Sequence, residues 1–426
     1  MSTHSAVRLP ITRFSLPLLL FCLAAGNLSA EEPARWPQFR GPTGQGLAPD
    51  ASPPTEWSET KNVRWKTDIP GLGHSSPVIW DDQLWLATAA ADGKEISLLC
   101  LNRHDGTLIH NLVVLTPKEI DPVHGKNTYA SPTPVLAEGR LYAHFGRYGA
   151  VAIDTITGKI LWKNEDLDFK QSGGPGSSPI LYRDLLIITV DGSDQQYNAA
   201  LDCATGKIRW KRDRSAPYRE QTVTRRAFAT PLIIEHAGRV QLISPAADQC
   251  HSLNPETGEE LWHIRYEGYS TVPRPVFDPK LGLVYICTGY FTPELTAIQV
   301  DGTGNVTDSK VAWRAKKAIP ENPSPLLIDD AVYIVSDDGV ATCYAADTGK
   351  QRWAKRLGGN FSASPLFAGG HIYYCGEQGE THVLKPGTKP EVIAVNKLPG
   401  PLMASPAAIE KSLYLRTDKA IYCIAE

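Results

Sequence analysis

The sequence predicts an all-β chain closed into an eight-bladed β-propeller of four-stranded antiparallel blades; two features that repeat in phase, and the way the chain ends, carry that expectation. Eight times a Pro stands one or two residues after Ser, Thr or Pro and opens an apolar run: Pro77, Pro134, Pro179, Pro231, Pro275, Pro325, Pro365 and Pro406. Their separations are 57, 45, 52, 44, 50, 40 and 41 residues, the length of four strands with their turns rather than of a helical repeat.

The second feature is a hairpin. Its clear copies are VAIDTITGKILW from Val151 to Trp162, AALDCATGKIRW from Ala199 to Trp210, SLNPETGEELW from Ser252 to Trp262, and CYAADTGKQRW from Cys343 to Trp353. The apolar residues before the Asp or its equivalent form one strand, Thr-Gly supplies a residue able to take φ > 0, and the residues up to the Trp form the next strand. Two worn copies follow the same plan: Leu99 to His110 has His110 in the Trp place, and Thr296 to Trp313 carries an insertion. A large residue that recurs once per blade belongs to the face that neighbouring repeats share. Trp65, Trp162, Trp210, Trp262, Trp313 and Trp353 are therefore expected to be structural wedges between blades.

Read from the start, residues 1–30 form a leader, 31–61 an N-terminal extension, and 62–426 the propeller. Arg8 and Arg13 precede an apolar run from Leu16 to Ala25, and Leu28-Ser29-Ala30 is a small-residue cleavage site. This is the pattern of a Sec-type signal peptide, so the mature chain is expected in the periplasm or outside the cell after cleavage near Ala30. Phe21 ahead of Cys22 argues against lipidation. No other stretch approaches the ~20 apolar residues of a spanning helix. Asn62 to Pro70 reads NVRWKTDIP, a Trp-bearing strand without its own hairpin, whereas the last unit stops at Glu426 one strand short. Trp65 is thus expected on the outer strand of the final blade, closing the ring and leaving no open edge.

The Asp-x-x-Thr-Gly-Lys-x-x-Trp units resemble the pyrroloquinoline quinone (PQQ) repeat from about Asn62 to Glu426. The likeness extends to bacterial secreted PQQ-like repeat propellers, in which Trp-Pro-x-Phe-Arg-Gly-Pro precedes the first blade; here this is Trp36 to Pro42. That resemblance implies either of two functions. One is a noncatalytic binding or scaffold module for an envelope protein or a glycan, as in the related outer-membrane assembly propeller. The alternative is a quinoprotein oxidoreductase that binds PQQ with calcium and oxidises an alcohol or sugar. Alcohol-oxidising relatives combine a calcium ion, a carboxylate base, a Trp beneath the cofactor and a disulfide between adjacent cysteines. This sequence has no adjacent cysteine pair, so no residue is carried over to those roles.

The sequence favours the binding module, and composition agrees with a compact secreted β protein. Lys+Arg 43 against Asp+Glu 46 gives a formal net charge of -3, which argues against nucleic acid as the partner. Beyond Cys22 there are Cys100, Cys203, Cys250, Cys287, Cys343, Cys375 and Cys423, an odd set expected to be buried single thiols. No Cys-x-x-Cys or regular Cys/His spacing points to a metal. A monomeric ring is expected.

The loops before the repeated prolines and after each second strand should converge on the channel mouth. A candidate ligand-binding rim follows: His124, Lys126, Asn127, Tyr129, Arg147, Arg225, Arg226 and Glu377. The segment KRDRSAPYREQTVTRR from Lys211 to Arg226 carries six cationic residues against Asp213 and Glu220, which marks it as a candidate anion-binding loop.

Overall fold

Six hydrogen bonds from one inner strand to the next explain why Ser or Thr precedes the repeated prolines. The amide of Ser76 donates to the Thr133 hydroxyl (2.9 Å), that of Thr133 to Ser178 (2.9 Å), and that of Ser178 to Thr230 (3.0 Å). The series resumes from Arg274 to Ser324 (3.0 Å), Ser324 to Ser364 (3.0 Å), and Ser364 to Ser405 (2.9 Å). Pro after each of these residues holds it in an extended conformation, which leaves its N–H free to turn toward the neighbouring blade. Because these groups are buried, each bond satisfies a donor that would otherwise be orphaned.

The computed structural model describes residues 1–4, 35–167, 169–215 and 218–426. The proposed leader and its cleavage site lie outside the described residues. The unit Ala34–Glu426 contains the propeller and the segment before it. Among the described residues there are eight blades, each opening on a short inner strand: Val78–Trp80, Val135–Ala137, Ile180–Tyr182, Leu232–His236, Val276–Asp278, Leu326–Ile328, Leu366–Ala368 and Ala407–Ile409. Blade 1 continues through Gln83–Ala89 and Ile96–Asn102 to Leu108–Leu115, antiparallel throughout, and the others follow its order. The eighth is completed by Val63–Asp68, which pairs antiparallel with Ala420–Ile424 and sets Trp65 opposite Cys423. The strand ahead of blade 1 and the last strand are thereby hydrogen-bonded, and the ring has no open seam.

The Thr-Gly hairpins interlock adjacent blades. The indole N–H of Trp65 donates to Arg103 O (3.0 Å), of Trp162 to Cys203 O (2.9 Å), of Trp210 to Pro255 O (3.1 Å), of Trp313 to Ala346 O (2.9 Å), and of Trp353 to Gly387 O (2.9 Å). Each acceptor lies in the turn of the following blade. The ring of Trp162 covers Gly206 so closely that a Cβ there would lie 2.5 Å from it, and Trp65, Trp210 and Trp313 cover Gly106, Gly258 and Gly349 in the same way. Those glycines also sit at φ near +70°, where a side chain is strained. Asp154 and Asp202 fix their turns by accepting from the backbone N–H and hydroxyl of Thr157 and Thr205. Trp262 departs from the pattern: it donates to Gln241 Oε1 (2.8 Å), and Gln241 in turn donates to Val300 O of the next blade (2.9 Å). The insertion before Trp313 has a place as well. Its Gly304–Asn305 pairs parallel with Trp262 and His263, covering the outer edge of blade 4.

Residues 36–57 cross the far ends of the inner strands. Trp36 bridges Ile79, Pro37 O accepts from Leu136 N (2.8 Å), Leu47–Ala48 adds parallel to Leu366–Ala368, and Ser52 N donates to Glu410 O (2.6 Å). Blade 5 is adapted to hold this segment. Where the other blades have Ser or Thr before Pro it has Arg274, fully buried, which donates to Phe39 O (2.5 Å), Gln38 Oε1 (3.1 Å) and Pro231 O (3.1 Å). Arg40 from the same segment is buried beside it and donates to Pro325 O (2.7 Å).

Candidate functional site

The residue three positions before each repeated proline decides what lines the channel mouth. His74, Ser131, Phe228, Val272, Asn322, Ser362 and Met403 occupy that position in seven blades, and all seven line one cavity of about 620 Å³. Gly176 holds the position in the remaining blade and lies against Phe228. The volume is within the range of small-molecule sites, about 300–1,000 Å³. None of these eight residues is Asp, Glu, Lys or Arg. His74 adds no charge at neutral pH, because burial, helped by nearby Arg416, pulls its pKa down to about 4.

Longer loops build the wall above this ring. His124, Lys126, Asn127 and Gly173 come from one side, Arg226, Tyr269 and Ser270 from another, with Tyr290, Glu321 and Asp337 completing it. Val123 bridges Gly173, and Asn127 Nδ2 donates to Gly173 O (2.8 Å) and Pro175 O (3.1 Å), which fixes the loop carrying His124 and Lys126. Lys126 reaches across to blade 7, with its ammonium 2.9 Å from Glu377 Oε1; Ser362 donates to the same carboxylate (2.6 Å). Arg226 donates to the Ser270 hydroxyl (3.0 Å) and the Ser172 hydroxyl (2.8 Å). Asp337 accepts from Asn322 Nδ2 and from Glu321 N (2.6 Å). Burial, with Asp337 nearby, pushes the Glu321 carboxyl above the ordinary range. The rings of Tyr269 and Tyr290 meet edge to face with centroids 5.4 Å apart, and Tyr290 is 49% exposed.

The candidate rim is thus brought together in part. His124, Lys126, Asn127 and Arg226 line the cavity, and Glu377 joins it through Lys126 and Ser362. Tyr129, Arg147 and Arg225 brace loops instead. Tyr129 packs at a tilt against Tyr148 and donates to Asp121 O (3.0 Å), Arg147 is held by Asp121 (3.0 Å), and Arg225 donates to Arg219 O (2.8 Å). The basic loop differs from its expected role as an anion receptor for a similar reason. Arg214 makes a buried two-point pair with Asp191 (2.7 Å each), and Arg219 pairs with Asp248 (2.6 and 2.8 Å). Asp191 is buried in that pair.

Phe228, Val272, Ser270, Tyr290, Glu321, Ser362 and Met403 were not among the expected rim residues. The fixed offset from the repeated prolines is the signal that finds four of them. Among the described residues all seven cysteines are free and buried, no group of three or more His, Cys, Asp or Glu is placed to hold a metal ion, and no Trp lines the mouth. No helix of the described residues is long and apolar enough to cross a membrane.

Comparison with known proteins places this architecture. The family described as outer membrane protein assembly factor BamB matches residues 55–165, 124–338 and 299–400. BamB from Moraxella catarrhalis superposes with a TM-score of 0.58 at 16% identity, covering 85% of this chain and 99% of that one. Quinohemoprotein alcohol dehydrogenase from Comamonas testosteroni gives a TM-score of 0.65 at 12% identity over 92% of this chain and 80% of that one. A polyvinylalcohol dehydrogenase of Pseudomonas sp is 22% identical over 272 residues, 59% of this chain; the match spans only 35% of that protein's length. At these identities the solved structures establish the fold alone. The matched segments run through seven of the eight blades, and the chain belongs to the BamB family of PQQ-like repeat propellers.

Proposed function

We propose that the protein is a noncatalytic binding module of the cell envelope whose ligand docks in the channel mouth. The observation that carries this reading is the state of the mouth's polar groups. Lys126 and Glu377 are tied to each other, Asp337 is held by Asn322 and Glu321, and Arg226 is spent on two serine hydroxyls. Groups fixed in this way present a preorganised surface.

The second reading, a quinoprotein oxidoreductase, draws on the names of the two dehydrogenases that match. PQQ carries three carboxylates and, with calcium, supplies two-electron oxidation when bound. The donor set of the mouth does not suit it. Its uncharged Pro-offset ring offers no counter-ions, the two cations of the wall, Lys126 and Arg226, are engaged, and no Trp is present to lie beneath a flat quinone.

Filling the cavity tests the proposal. Val272→Trp puts an indole into the mouth at a position that is half-buried in the wild type. The full chain and the variant, matched by thermal melt, are incubated with solubilised envelope, and the retained protein and carbohydrate are compared. Retention by the wild type and its loss in Val272→Trp supports mouth binding; equal retention overturns it. A parallel titration with PQQ and calcium is expected to show no saturable stabilisation.

A further inference from the structure

The mouth has one feature that its charge pairing does not account for. Between the second and third strands of blade 5 the chain reads Gly289-Tyr290-Phe291-Thr292, and this tip is held in a costly conformation. Phe291 has φ +88°, a region that a bulky L-residue avoids. Its side chain is 65% exposed, so no buried packing holds it there. What fixes the tip is polar. Thr288 donates to Thr292 O (3.2 Å) and accepts from Glu294 N (2.9 Å), Thr292 donates to Glu267 O (3.1 Å), and Tyr290 N donates to Tyr269 O (2.9 Å). The tip thus carries two exposed aromatic residues, Tyr290, which lines the cavity, and Phe291 next to it in the chain, while Tyr269 and Phe228 line the same cavity.

Resting on the reading of the mouth as the ligand site, we propose that the ligand is a neutral sugar chain, with one pyranose ring stacked on the Tyr290 and Phe291 side of the mouth. Two independent features point to this chemistry. Aromatic faces suit the C–H face of a pyranose, and the phenol groups of Tyr290 and Tyr269 add a polar end for hydroxyls. The ring below carries no formal charge and mixes polar and apolar groups in neighbouring pairs: His74 and Ser131, then Phe228 and Val272, then Asn322 and Ser362, with Met403 in the last blade. A charged ligand would meet Lys126, Glu377, Arg226 and Asp337 with partners already in place, whereas sugar hydroxyls can add to Asp337 and to the Glu321 carboxyl without breaking those contacts.

The test uses gel mobility of the full chain through neutral polysaccharides (a glucan, a mannan, a galactan) and through an acidic one, a polyuronate. Retardation in at least one neutral gel is expected. Tyr290→Ala should weaken that binding by about tenfold, the usual worth of one stacked aromatic ring. Phe291→Gly is the variant that separates function from folding: glycine relieves the positive φ, so its melting temperature should equal or exceed that of the wild type while retardation falls. The inference is overturned if no neutral gel retards the wild type, if only the polyuronate does, or if both variants run as the wild type. Val272→Trp keeps the two proposals apart. If it abolishes capture of an envelope protein while neutral gels have no effect, the sugar inference fails and mouth binding stands; if it changes nothing in either assay, both fail.

Discussion

The Ser364 hydroxyl ties its blade to the preceding one through Ser324 alone, accepting from the Ser324 amide (3.0 Å) and donating to the Ser324 hydroxyl (2.9 Å), both residues buried. Ser364→Ala leaves that amide without a partner, and stability should fall by about 1–3 kcal/mol in urea denaturation, the penalty for an orphaned buried donor. Buried histidines make the molecule sensitive to acid. Burial pulls His74, His144 and His251 each down to about 4 from an ordinary 6.5. In the folded chain they stay neutral while the unfolded chain begins to take up protons near pH 6.5. Stability should therefore be flat above that pH and fall as pH drops from 6.5 toward 4. Glu260 works in the same direction. His251 and His263 hold its carboxylate below the ordinary range, so its contribution too is lost in acid. Melting temperature measured against pH checks the sign; a maximum near pH 4 would contradict it.

At the scale of the element, much of the architecture is legible from residue types. The Asp-x-x-Thr-Gly turn, the Trp that follows and the pre-proline hydroxyl each have a local physical reason, and each recurs where that reason applies. Gly206 carries two such reasons at once, φ +70° and a Trp162 ring that a Cβ would meet at 2.5 Å. Gly206→Ala should cost about 1–2 kcal/mol from the backbone alone and more from the ring; a loss below about 0.5 kcal/mol would mean that the blades slide freely at this contact. The site is much less legible, because its partners come from separate loops. Counting charges from Lys211 to Arg226 overstates free positive charge, since Asp191 and Asp248, which neutralise Arg214 and Arg219, lie outside the segment. Arg147 is likewise drawn off by Asp121, which lies 26 residues earlier in a different loop. The mouth ring, by contrast, was written in the sequence at a fixed offset, and it is the register of the repeat rather than the polarity of the loops that reveals it.

On the scale of the whole molecule, closure gives the channel two unlike ends. Residues 36–57 cross one end, anchored by Arg274 where the repeat forgoes its hydroxyl, and the loops before the inner strands shape the other into a recessed cavity. The proposed ligand enters by the mouth, where the larger cavity lies. Hydrogen exchange of the full chain, with and without solubilised envelope, tests this most directly. Added protection is predicted in the mouth loops, residues 122–129, 269–272 and 288–294, with the outer strands unchanged. Protection confined to an outer strand such as Leu108–Leu115, with the mouth loops exchanging as in the free chain, would contradict it.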